Sequence, residues 1–254
     1  MLGSDIGITN HIEITKNNFV IDGMGHTIRA DRGYNKTGAL YVKGNGFNIV
    51  NCNFKGIVSE NNSVVYVKGN DCTITNCNFT NCYSLEVNGG AISIEGNNCS
   101  ISNCSFKECH IDINRFTFVH HYYSGGAINV KGDNFNLTDC SFGGCSAYEG
   151  GAVCIYGTNC SLSDCVFTNC VAFYRGIVLI DGDTFNLTDC YFNYCNCKLG
   201  HKWGMYFMGC KLSVFNNFEF ERNKYIDHDY DSLIIIGSEF GNNCTFVDYL
   251  KKRI

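Results

Sequence analysis

Two sets of residues in this chain have the types and spacing to do chemistry. The first is a row of aspartates, Asp139, Asp164 and Asp189, which occupy equivalent places in a recurring segment. If that segment stacks on itself, adjacent carboxylates lie about 5 Å apart and next-but-one carboxylates about 10 Å. That range spans the separations used by glycosidases. Asn51, Asn76 and Asn103 hold the same place in the other copies. The competing reading is therefore a turn position that takes Asn or Asp alike, because both bond nearby backbone N–H groups. The second set is aromatic and imidazole-bearing with one arginine: His120, His121, Tyr122, Tyr123, Tyr148, Phe173, Tyr174, Arg175, His201 and Trp203, the only tryptophan. These fall where copies differ in length. In a stacked-repeat protein such insertions gather on one face, often the binding face. Exposed rings along one edge suit stacking on a sugar or docking a protein. The alternative is that these loops fold back over the sheet. The run Asp227-His228-Asp229-Tyr230-Asp231 reads as a solvated loop, and no metal site or cofactor is expected. Gly23-Met24-Gly25-His26 departs in order from a Gly-His-Gly motif and reads as a turn.

The 18 cysteines also fall in rows. One is Cys52, Cys77, Cys104, Cys140, Cys165 and Cys190; a second is Cys82, Cys109, Cys145, Cys170 and Cys195. A third mixes types: Phe47, Cys72, Cys99, Phe135, Cys160 and Phe185. Phenylalanine cannot replace a metal ligand or a disulfide partner, but it can replace a small buried hydrophobe, and free Cys behaves as one. Stacked strands stand about 4.8 Å apart, whereas disulfide Cβ atoms sit at about 3.8 Å. Mostly free, buried thiols are expected.

What positions these residues is a repeat. The segment beginning Gly44-Asn45-Gly46-Phe47 returns at Gly69, Gly96, Gly132, Gly157 and Gly182. Intervals are 25 residues, with one of 27 and one of 36. Each copy holds three short alternating stretches, of the forms F/C-x-I/L, C-x-F and A-I-x-V/I. Period-two alternation marks strands with one buried face. Gly, Asn and Asp between them are turn residues. Identical short strands repeated in the same order stack on one another as three parallel sheets of a solenoid, with about eight or nine coils. The absence of proline agrees, since nearly every strand must donate N–H groups to a neighbouring coil.

The Gly-Ala-Ile elements at Gly90 and Gly126 and the Gly-Ala-Val at Gly151, with C-x-F-x-x-C (Phe79 to Cys82, Phe106 to Cys109, Phe167 to Cys170), resemble the right-handed parallel β-helix repeats of adhesin-like surface proteins of methanogenic archaea. They are also similar to the GGA[I/V] and FxxN repeats of chlamydial polymorphic membrane proteins, with FxxC in place of FxxN. Phe19 to Ile28 looks like the first-coil segment of such β-helices. The resemblance implies an all-β, right-handed parallel β-helix, display at a cell surface or outside the cell, and contact with a carbohydrate or a surface protein. The pectin-lyase-like fold also carries lyases and hydrolases, so activity is not implied.

Composition excludes other classes. A net charge of -5 argues against nucleic acid, 45% hydrophobic residues against disorder, and no apolar run is long enough for a transmembrane helix. The first residues lack a basic n-region and an apolar h-region, so the sequence reads as without a secretory signal and as a piece of a longer surface protein. Nine N-x-S/T sequons occur, Asn35, Asn61, Asn78, Asn98 and Asn136 among them; most recur with the repeat and read as turn chemistry rather than glycan sites. The expectation is a single domain over residues 1–254 that is a non-enzymatic adhesin-like module. The alternatives are a polysaccharide lyase or glycoside hydrolase and a structural solenoid without its own activity.

Overall fold

The computed structural model describes residues 1–31, 37–85, 87–112 and 123–197 in full. Beyond residue 197 it describes the backbone of strands Met205–Met208, Lys211–Asn216, Glu219–Glu221, Leu233–Ile236 and Glu239–Cys244. The chain forms a parallel β-solenoid, and every strand pairing is parallel. Three sheets have nine strands each. A Leu sheet runs from Val20–Asp22 to Glu239–Cys244, a Phe sheet from Ile6–Ile8 to Glu219–Glu221, and a Val sheet from Ile12–Ile14 to Leu233–Ile236. About seven complete turns lie between Leu40 and Glu221, slightly fewer than the repeat suggests.

The three-sheet expectation needs one correction. A fourth, six-stranded corner sheet is built from two-residue strands, Val58–Ser59, Tyr83–Ser84, His110–Ile111, Ser146–Ala147, Val171–Ala172 and Asn196–Cys197. It occupies the start of the corner where copy lengths vary. Two residues after the second cysteine row still bond the coil below, as in Tyr83 N–H to Ile57 C=O at 3.1 Å and Val171 N–H to Cys145 C=O at 2.8 Å. Only then does each loop diverge.

Each coil visits the Leu, Phe, corner and Val sheets in that order. The interior is a set of columns, one residue type above itself. Phe54, Phe79, Phe106, Phe142, Phe167 and Phe192 stack nearly parallel, with centroids 4.6 to 5.1 Å apart and planes within 7°. Each ring buries apolar area worth about 1.5–3 kcal/mol, and each aromatic pair adds about 0.5–1.5 kcal/mol. The described cysteines are free and buried. In the second row each thiol donates to the Phe carbonyl one coil below, as in Cys109 to Phe79 at 3.5 Å and Cys170 to Phe142 at 3.5 Å. In the mixed row Cys160 pairs in register with Phe185.

Corners explain the asparagine usage, about one residue in eight. Asn98, Asn134 and Asn159 sit at φ near 56° and pass amide hydrogen bonds up the column at 2.8 to 3.0 Å. Asn tolerates this left-handed geometry better than most residues. At the Gly44-to-Gly182 corner a Cβ on any of these residues would strike the backbone of the coil below, so the column takes only glycine.

Candidate functional site

Asp139, Asp164 and Asp189 lie on consecutive coils at the corner between the Leu and Phe sheets. All three are exposed and left-handed, with φ of 53° to 54°. Their backbones join the next coil, Asp139 N–H to Ser163 C=O and Asp164 N–H to Thr188 C=O, both at 3.2 Å. In the preceding coils Asn76 donates to Asn51 at 3.4 Å and Asn103 to Asn76 at 2.5 Å. The aspartates thus continue an amide turn column. This corner is separate from the edge where the loops gather.

At that edge the described candidates are Tyr123, Tyr148, Phe173, Tyr174 and Arg175, all half-buried. His120, His121, Tyr122, His201 and Trp203 lie outside the described residues, as does the Asp227–Asp231 run. Tyr148 stacks on Phe173, with centroids at 6.2 Å and planes at 9°, and meets Tyr174 at 6.3 Å. The Arg175 guanidinium lies 5.7 Å from the Tyr174 ring centre, and its Nε is 3.3 Å from Glu149 Oε1. Glu149 is 3% exposed. Burial pushes its carboxyl above the ordinary 4.5, and Arg175 pulls it partly back. Backbone bonds hold the rows together, including Tyr174 N–H to Tyr148 C=O at 2.6 Å and Glu149 N–H to Tyr123 C=O at 3.2 Å. The aromatics of this stretch therefore pack on one another beside the sheet.

The outward positions of the Val sheet, which the sequence reasoning did not single out, divide into two halves. Along one row they read Tyr41, Tyr66, Ser93, Asn129, Cys154 and Leu179. Cys154 and Leu179 are buried, though they point away from the core, and pack with Tyr156 in a small apolar cluster of their own. Ser124 Oγ lies 3.5 Å from the Tyr156 hydroxyl. Burial pushes the Cys154 thiol up to about 12, so it stays protonated.

The first four positions instead floor a groove of about 370 Å³. One wall is Asn61, Asn62, Ser63, Val87, Asn88 and Tyr123; Glu95 and Lys131 stand on the opposite side. Tyr41 and Tyr66 rings are 5.2 Å apart and tilted by 36°. Burial, then the hydrogen bond with Glu95, raises the Tyr66 phenol well above its usual value. The wall is pinned: Ser63 Oγ donates to the Asn88 carbonyl at 2.8 Å, and Asn88 Oδ1 accepts from Ser124 N–H at 2.9 Å. Of the sequence-predicted residues that are described, only Tyr123 lines this groove, and none of the three aspartates does. The signal that could have found it lay in the strands themselves. Outward residues of A-I-x-V copies change type from coil to coil, while the inward ones do not.

Residues 38–224 match the family described as right handed beta helix region. The chain belongs to that family. No curated protein and no solved structure matches significantly. The match covers the coils that floor the groove, so the site is part of the β-helix itself rather than an appended element. Among the described residues of this β-helix, no cluster of three or more His, Cys, Asp or Glu is placed to hold a metal.

Proposed function

We propose that this β-helix is a non-enzymatic, adhesin-like module of a cell surface that binds a glycan or protein along its loop-rich edge. The reading is carried by one observation: tyrosines, amides and hydroxyls converge in a groove between the Val sheet and the edge loops. Rigid aromatic rings beside polar amides are what a binding surface uses to gain area at low entropic cost. Among the described residues that line the groove Glu95 is the one carboxylate, whereas glycoside hydrolysis uses a pair. The edge aromatics Tyr148, Phe173 and Tyr174, with Arg175, adjoin the groove through Tyr123, whose carbonyl accepts from Glu149 N–H at 3.2 Å.

The test is a glycan array and a binding screen against extracellular-matrix and cell-wall preparations, run on the full chain. Binding that falls on Tyr174→Ala with Tyr41→Ala supports the module. Turnover of acidic or neutral polysaccharide, with or without calcium, would replace it with an enzyme. Neither binding nor turnover would leave a structural solenoid.

A further inference from the structure

We infer that the groove on the Val sheet takes a neutral saccharide, seated by a hydroxyl that donates to Asn129; this deepens the binding-module reading and rests on it. Asn129 points outward from the middle of the sheet, in register with Ser93 and Cys154. It is 1% exposed, and its Oδ1 has no hydrogen-bond partner. A buried acceptor left unmade costs about 1–3 kcal/mol, so this atom is a standing demand for a donor. A carboxylate or sulfate only accepts and cannot meet the demand, so a hydroxyl must, and the choice of a neutral sugar rests on the charges beside it. A sugar hydroxyl meets it, and can accept from Ser93 or a wall amide as well.

The charges agree. Glu95 pairs in register with Lys68 on one side and Lys131 on the other, and Tyr66 also bonds toward it. Of the described charged residues that line the groove, Glu95 and Lys131 carry one charge of each sign, and Lys43, over the Tyr41 ring, is paired with Glu13 at 2.7 Å, so an anionic ligand would meet the Glu95 carboxylate beside Lys131. The Tyr41 and Tyr66 rings supply apolar surface for a pyranose C–H face. The wall is rich in amides and hydroxyls, with Val87 its one aliphatic side chain, which fits a saccharide better than the apolar anchors of a peptide.

The experiment is calorimetry and saturation-transfer NMR on the full chain with two panels: neutral gluco-, manno- and galacto-oligosaccharides, and oligogalacturonates. Neutral sugars should bind. Asn129→Leu should weaken binding about tenfold, the scale of one lost hydrogen bond with its desolvation. Tyr66→Phe should cost a few-fold, and Tyr174→Ala at the edge should matter less. Circular dichroism melts report whether each variant folds; if Asn129→Leu does not, Ser93→Ala and Tyr66→Phe carry the comparison. Preference for oligogalacturonates overturns the inference and leaves the module standing. So does neutral-sugar binding that ignores Asn129 and Tyr66 but falls on Tyr174→Ala. A purified protein ligand with no sugar binding also overturns it while retaining the module. No ligand of either kind ends both readings.

Discussion

The inside and the outside of this β-helix follow different rules. Inside, the Phe sheet repeats one residue six times, each ring flat on the next. Outside, the Val sheet offers Tyr, Tyr, Ser, Asn, Cys and Leu over successive coils. Both rows have the same spacing. In the core, a neighbour of different size opens a cavity or a clash in two coils at once, so like stacks on like. One row of the outer Leu face varies less from Thr75 onward: Thr75, Ser102, Thr138, Ser163 and Thr188 follow Val50 in register, with hydroxyls paired at 3.0 to 3.1 Å where Thr75 meets Ser102 and Ser163 meets Thr138. The Val face departs further than contact with water requires, running from tyrosine through serine and asparagine to leucine.

The contrast can be broken most severely from within. Phe106→Ala, at the centre of the ring column, should cost about 3–5 kcal/mol, read as a lower urea midpoint with an unchanged slope. A result below about 1 kcal/mol would mean the column is not the core. Gly132→Ala places a methyl against the backbone of Gly96 and should cost about 1–3 kcal/mol by overpacking. The thiols sharpen the same point without a mutation. Burial raises Cys109, Cys145 and Cys170 well above their usual range. In an aromatic-disulfide assay few should react natively and nearly all 18 after denaturation. Many reacting in the folded protein would show a breathing core.

Outside, effects should be smaller and pH-linked. Glu149 has its pKa raised by burial in the folded state. Between the ordinary 4.5 and that higher value the folded protein holds a proton the unfolded chain has lost. This group therefore favours the fold at acid pH, and its contribution falls as pH rises through the window. Glu149→Gln should flatten that segment of a stability-versus-pH curve; an unaltered curve would mean Arg175 fully compensates the burial. Last, Tyr41→Ser on the groove floor should shift stability by no more than about 0.5 kcal/mol while altering ligand binding. A large stability loss would make the floor part of the scaffold.

Much of the fold was legible because the columns are written into the residue types. Exchange of Cys160 for Phe135 or Phe185 at one position gives a buried row, and recurring Gly44, Gly69 and Gly96 give a close backbone approach. The corner sheet was not legible, since Tyr83–Ser84 or Ser146–Ala147 is too short to show alternation. The first coil was partly hidden as well: Ile6–Ile8 and Ile12–Ile14 carry neither C-x-F nor Gly-Ala, yet pair in register with Ile28 and Leu40. The groove depended on geometry. Asn61 and Asn88 belong to turns, Tyr66 and Asn129 to strands, and only the winding brings them to one face.

The glycine column has a consequence for how such a molecule changes length. Each of those residues touches its equivalent one coil away, and the strand and ring contacts likewise join adjacent coils. With couplings only between neighbours, a whole coil can be gained or lost by duplication or deletion in the gene, and the cut surfaces on either side still match. The register of every column survives the splice. A groove set by particular coils does not, so recombination can lengthen the rod freely while moving, copying or erasing its binding face.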